Sequence, residues 1–100
     1  MQSYDDQIRR AIREKRLLHF LYGGATRIVE PQAYGIHRGE HQLLAYQVRG
    51  LSRSGSLPNW RRFVLAKMSD LDVLPEPFAG RRDFGGDEPP DFDEILAVAE

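Results

Sequence analysis

Apolar residues recur at helical spacing near the start of the chain. The positions that would share one face of a helix are Tyr4, Ile8, Ala11, Ile12 and Lys15. Ser3 is followed three residues later by Asp6, which resembles a capping box with aspartate in place of glutamate. The pattern therefore predicts an amphipathic helix over residues 4–16 whose charged face lies in solvent.

After this helix the pattern changes to the alternation that is typical of β-strands. The predicted strands cover residues 17–22, 26–30, 33–37, 41–49, 60–65 and 71–74. Pro31 has no N–H to donate, so we expect it to end the second strand. Five or six short strands in roughly sixty residues predict a small closed or nearly closed barrel, because closure removes exposed strand edges.

Loop-like segments separate some of these elements. Residues 50–59 combine serine, glycine and proline and predict a mobile, exposed loop, and residues 78–90 predict a surface crossing. Asp91 then precedes Glu94 by three residues, again as in a capping box. The apolar stripe of the short C-terminal helix that this spacing predicts would be Phe92, Ile95, Leu96 and Ala99. So short a helix must dock on the barrel to persist.

Length and composition indicate one domain. The chain has 100 residues, of which 41% are apolar, enough for one core. We expect the barrel core at about 17–78 and an acidic C-terminal segment at 83–100. Cysteine is absent, which excludes disulfides and cysteine-based zinc sites. Because the N-terminus is polar and no long apolar run occurs, we expect a cytoplasmic protein without membrane association.

The formal net charge of −1 hides a strong asymmetry along the chain. Residues 41–69 contain five basic side chains and no acidic one: Arg49, Arg53, Arg61, Arg62 and Lys67. Residues 70–100 contain ten acidic side chains against two basic ones, Arg81 and Arg82. The basic stretch suits an anionic partner, and the acidic stretch could cover it.

Several motifs occur in an order that resembles the WYL domain family. They are Phe20-x-Tyr22, Arg27-x-Val29-Glu30-Pro31, Leu43-Leu44-Ala45-Tyr46 and the run from Arg62 to Met68. The Trp-Tyr-Leu triplet itself is degenerate here, reading His41-Gln42-Leu43, and Ala66 and Lys67 replace the usual aspartate and arginine. The resemblance implies a five-stranded SH3-like or Sm-like barrel, used for sensing in bacterial transcription regulators or defence-associated proteins. It also implies binding of nucleic acid or nucleotide-like ligands through basic and aromatic residues.

The candidate ligand-binding residues are arginines and aromatics of the predicted strands: Arg27, Tyr46, Arg49, Trp60, Arg61 and Arg62. Guanidinium groups match phosphate oxygens, and the two rings could stack on bases. Strand alternation places Arg61 and Arg62 on opposite faces, so only one of them is expected beside Tyr46. The alternatives are that the arginines are solvated or paired with the acidic segment, and that Trp60 plugs one end of the core.

Other functions have weaker support in the sequence. His19, His37 and His41 invite a metal or general-base interpretation, and His37 with Glu40 could serve a small hydrolase, but no metal-ligand motif is present. No phosphate-binding loop or nucleophile motif occurs, so we expect no enzyme and no cofactor. A protein-interaction module or homodimer is the main alternative to a nucleic-acid binder. Its apolar contacts would be the loop residues Leu51, Leu57 and Phe84.

Overall fold

The computed structural model describes residues 3–50, 59–84 and 91–100. The elements in chain order are α1 (Tyr4–Glu14), β1 (Arg16–Tyr22), β2 (Ala25–His37), β3 (Glu40–Gly50), β4 (Asn59–Val64), a 3-10 turn (Leu65–Lys67), β5 (Met68–Pro77) and β6 (Glu94–Val98). The mainly β fold with an N-terminal helix is confirmed. Most of the loop predicted at residues 50–59 lies outside the described residues.

The strands form one antiparallel sheet in the order β4-β3-β2-β1-β5, with β6 also paired to β2. β1 pairs with the first half of β2, where Leu18 faces Val29. β6 pairs with the second half, where Ile36 faces Glu94. Within the described ranges no strand ladder joins β4 to β5. The sheet of the described residues therefore has six strands, within the expected five or six, and it is not closed. The five-stranded SH3-like or Sm-like barrel that the resemblance implies is not confirmed.

The predicted C-terminal helix is wrong, because residues 94–98 form strand β6. Along one edge of β2, between Ala33 and Ile36, the backbone N–H and C=O groups need hydrogen-bond partners, and β6 supplies them. A helix could not do so, because its own backbone groups are bonded within the helix. Gly35 allows this approach, since a Cβ there would collide with the carbonyl of Glu94. Tertiary pairing thus overrides a local pattern that mimics a helix start.

Pro31 does not end a strand, and the predicted second and third strands are joined in β2. The partners on β3 shift by one residue here: Pro31 faces Ala45, Ala33 faces Leu44, and Gln32 is the extra residue of a β-bulge. A bulge accommodates proline because the missing N–H falls where the ladder is already interrupted. The bulge also releases Gln32 for contacts outside the β2–β3 ladder.

Helix α1 begins as the sequence predicts and ends slightly earlier. The Ser3 hydroxyl oxygen accepts a hydrogen bond from the N–H of Asp6 at 3.1 Å, and Ile8, Ala11 and Ile12 are buried. The helix stops because Lys15 adopts the left-handed conformation, with φ 56° and ψ 53°. The Lys15 carbonyl then accepts from the N–H of Phe78 at 2.9 Å, which ties the helix end to β5.

The core is crossed by three aromatic rings that join β1 to β4. Phe63 packs edge-to-face on Phe20 and on Tyr22, with ring centroids 4.9 and 5.0 Å apart. The Tyr22 hydroxyl also accepts a hydrogen bond from the N–H of Val64 at 3.0 Å. These contacts bring β4 against β1, although two strands separate them in the sheet order.

A second set of contacts ties α1 to β2. Tyr34 is fully buried, and its hydroxyl donates to one oxygen of Asp5 at 2.8 Å. Arg9 donates to the other oxygen at 3.0 Å. Burial opposes ionisation of Asp5, but the bonds from Tyr34 and Arg9 outweigh it and hold the pKa of that carboxyl below its ordinary 3.8. Burial and the bond to Asp5 raise the pKa of Tyr34.

Helix α1 has eleven residues. In the described part of the chain no helix is long and apolar enough to cross a membrane.

Replacing Tyr22 by phenylalanine tests the bridge between β1 and β4. The Val64 N–H loses its acceptor, so we expect the free energy of unfolding to fall by about 1 kcal/mol. Urea denaturation followed by circular dichroism measures this loss. Tyr4→Phe is the matched control, with an expected change under about 0.5 kcal/mol. Equal stability of Tyr22→Phe and the unmodified protein would contradict the role of the bridge.

Replacing Asp5 by asparagine tests the helix anchor through pH. The folded-state pKa of Asp5 is lowered, so its stabilisation is present above the unfolded-state pKa near 4 and is lost as pH falls through the folded value. We expect Asp5→Asn to destabilise the protein at pH 7 and to weaken the loss of stability below about pH 4. Asp6→Asn removes a carboxylate from the same helical turn and is the control. If both variants show the same pH profile, the anchor is not the cause.

Candidate functional site

The β3–β4 hairpin separates the predicted site residues between two faces. Residues directly opposite each other in an antiparallel pair share a face. Tyr46 faces Trp60, and Leu44 faces Arg62. Arg61 faces Ala45, which is fully buried, and therefore leaves β4 on the core side. Tyr46, Trp60 and Arg62 thus share the outer face, and the alternation predicted for Arg61 and Arg62 holds in the register.

Three aromatic rings meet on this outer face. Tyr46 and Trp60 pack edge-to-face with centroids 5.4 Å apart. Phe84, from the segment after β5, lies 5.6 Å from Trp60. All three are half-buried. Trp60 is not part of the buried core cluster, so it does not plug the interior.

Two arginines that the sequence interpretation left out complete the group. The guanidinium of Arg82 lies 3.9 Å from the centroid of the Tyr46 ring, and that of Arg81 lies 4.9 Å from the centroid of Phe84. Both are within the range of cation–π attraction. We call the set of Tyr46, Trp60, Phe84, Arg81 and Arg82 the aromatic–arginine patch.

Arg82 is held in place by an ion pair as well as by the ring. Its Nε and Nη2 donate to the two oxygens of Glu30 at 2.6 and 3.2 Å. This bidentate pair, with its side-chain hydrogen bonds, raises the pKa of Arg82. The Arg82 side chain is still 43% exposed. A guanidinium fixed over a ring and partly open to solvent is preorganised to stack with a second planar group.

Gln32 positions the segment that carries these arginines. Its buried side-chain amide donates to the carbonyl of Gly80 at 3.2 Å and accepts from the N–H of Arg82 at 2.8 Å. Its own carbonyl accepts from the N–H of Ala99 at 2.8 Å. The side chain of Gln32, at the β2 bulge, thus holds the backbone of residues 80–82 against the sheet, as the backbone of a neighbouring strand would.

Arg62 lies farther along the same outer face. Its Nη1 donates to the side-chain oxygen of Gln42 at 3.1 Å, and its guanidinium lies 4.5 Å from the centroid of Phe92. Burial lowers the pKa of Arg62, and the charge of Asp91 opposes that effect. Arg62 is therefore a partly desolvated cation beside the patch.

The other predicted arginines lie elsewhere. Arg27 donates to the side-chain oxygen of Gln47 and to the carbonyl of Tyr22, both at 3.3 Å. Its guanidinium lies 6.0 Å from the ring centroid of the core residue Phe63. The Nη2 of Arg49 donates to both carboxylate oxygens of Glu76 at 2.8 Å in an exposed ion pair. The structure therefore does not gather Arg27, Arg49 and Arg61 with Tyr46.

The proposed acidic cover has a different character from the one expected. Among the residues after β5, Phe84 lies against Trp60 and Phe92 lies against Arg62, and Asp91 acts on Arg62 through its charge. Part of the segment, residues 85–90, lies outside the described residues. If the acidic segment covers the basic face, deleting the residues after Asp83 is expected to raise affinity for single-stranded nucleic acid at low salt, but the deletion would also remove β6 and the buried Ala99. Such a truncation would change the core as well as the outer face.

Sequence reasoning missed Arg81, Arg82, Glu30 and Phe92 as neighbours of the hairpin. Arg82 and Glu30 are 52 positions apart, Arg82 and Tyr46 are 36 apart, and Phe92 and Arg62 are 30 apart, which is beyond any local periodicity. The adjacent Arg81 and Arg82, followed closely by Phe84, were the available signal, since cations beside an aromatic interrupt an otherwise acidic stretch.

The histidines do not form a metal centre in the described part of the chain, where no group of three potential ligands is placed together. His41 lies 5.8 Å from the ring of Tyr34, and His19 lies 3.9 Å from Asp72.

Comparison of the chain with family models, curated proteins and solved structures finds no match in any of the three. The WYL resemblance accordingly stays a prediction.

Proposed function

We propose that this chain is a non-enzymatic binding module that holds single-stranded nucleic acid, or a nucleotide, on the aromatic–arginine patch. The observation that carries the proposal is the stack of Arg82 on Tyr46 beside Trp60 and Phe84, on one face of the β3–β4 hairpin. Sequence-tolerant single-strand binders combine aromatic platforms with nearby cations in this way.

The chemistry favours stacking over long-range charge. Glu30 neutralises Arg82 locally, which leaves Arg81 and Arg62 as the cations best placed for phosphates. Two phosphate contacts on a single strand predict a slope of log affinity against log salt of about −1.4. Stacking on Trp60 contributes roughly 1–3 kcal/mol per base. We therefore expect modest affinity with shallow salt dependence.

The WYL resemblance supports the same class of ligand and adds a setting, a regulatory or defence-associated assembly in the bacterial cytoplasm. The protein-interaction alternative loses one of its three supports, since Phe84 packs on Trp60 and Arg81. Its other two, Leu51 and Leu57, lie outside the described residues.

Trp60 provides a direct test because it is the only tryptophan. Titration with unlabelled single-stranded DNA or RNA is expected to quench its emission, since a base stacks on the indole. In parallel, fluorescence polarisation of labelled oligonucleotides gives the affinity. Trp60→Leu should weaken binding about 5- to 150-fold, the equivalent of the stacking energy, and Trp60→Phe should weaken it less. No binding at low salt, or equal affinities of Trp60→Leu and the unmodified protein, would overturn the proposal.

The charge contribution is tested with a matched pair of arginine variants. Arg81→Gln removes a cation from the patch, and Arg10→Gln removes one from α1, where Arg10 pairs with Glu14. We expect Arg81→Gln alone to lower affinity and to reduce the salt slope by about 0.7. If both variants have the same effect, the attraction comes from overall charge and not from the patch.

A further inference from the structure

A cavity of about 370 Å³ lies between the end of α1 and strand β6. The side chains that define its chemistry are the cations Arg9, Arg13 and Lys15 and the apolar Ile12, Leu96 and Val98. None of these residues belongs to the aromatic–arginine patch. The volume falls within the range of small-molecule sites, and equals about a dozen water molecules at roughly 30 Å³ each.

The charges around the cavity favour an anion. Glu100 is the one carboxylate among its described lining residues, against three cations. Arg9 is oriented by Asp5 at 3.0 Å and by the Tyr34 ring at 5.9 Å. Arg13 is 70% exposed, and its ion pair with Glu14 is long, at 3.9 Å. The apolar lining side chains would contact the body of a ligand whose head meets these cations.

Lys15 stands at a backbone position that disfavours lysine. Its φ of 56° closes the helix, and glycine is the residue that adopts this conformation without steric cost. The backbone bonds that Lys15 makes, to α1 and to Phe78, would be the same with glycine. What lysine adds there is a cationic side chain among the residues that line the cavity.

We propose that this cavity binds a small organic anion: a carboxylate or phosphate head held by Lys15 and Arg13, on an apolar body that packs against Ile12, Leu96 and Val98. The shared chemistry is one anionic group joined to a compact apolar ring or chain of about a dozen non-hydrogen atoms. The site is separate from the patch and does not depend on nucleic-acid binding.

Phenyl phosphate is a suitable probe because it joins both parts in eleven non-hydrogen atoms. Titration into the isotope-labelled full chain, followed by amide NMR, should give saturable shifts at residues 13–15 and 96–98. Inorganic phosphate supplies the head alone and benzamide supplies a neutral ring, and each should bind at least tenfold more weakly. No saturable shift with phenyl phosphate, or an equal response to either fragment, would overturn the proposal.

Lys15→Gly separates binding from folding. The variant should raise the melting temperature, because it relieves the left-handed strain, and should weaken phenyl phosphate binding at least fivefold. Arg38→Gly is the matched control: it removes one cation from another residue with positive φ, 50°, away from the cavity. It should stabilise similarly and leave binding unchanged. Full binding by Lys15→Gly would overturn the proposal, and quenching of Trp60 by oligonucleotide should be unaffected in both variants.

Discussion

The contact of Phe63 with Phe20 and Tyr22 is the interaction on which the shape of the sheet depends. β4 and β1 are separated by two strands in the sheet order, so their side chains can meet only if the sheet curves strongly. The edge-to-face rings favour that curvature, and the bond from Val64 to the Tyr22 hydroxyl fixes its extent. Because the contacts of Phe63 on the inner face fix the position of β4, they also fix the positions of Trp60 and Arg62 on its outer face.

Much of the fold could be predicted because its signals are local. The alternation in β1 and β3 and the cap at Ser3 depend on neighbouring residues, and a short-range pattern describes them well. Strand β6 could not be predicted in this way, since Asp91, Glu94 and Ile95 carry helical spacing. Residues 94–98 form a strand because they pair with an edge of β2 that would otherwise be unpaired. Gly35 was a usable hint, because a glycine within a strand often marks close approach of another backbone.

In the candidate site, too, some residues follow from local sequence patterns and others are placed only by tertiary contacts. Tyr46 and Trp60 follow from two predicted strands in a hairpin, and their pairing is a matter of register. Arg82 reaches Tyr46 through the bulged Gln32, which binds the backbone of residues 80–82. A bulge beside a proline depends on neighbouring residues. Which segment the Gln32 side chain then binds depends on the folding of the whole chain, so a local pattern does not predict it.

The pairing of β6 with β2 has a consequence for synthesis. The edge of β2 at residues 33–36 receives its partner from residues 94–98, which leave the ribosome later. At about 5–20 residues per second, a separation of roughly sixty residues corresponds to about 3–12 s. During that interval the nascent chain presents an unsatisfied strand edge. Neighbouring chains on the same polysome can compete for this edge until β6 pairs with it.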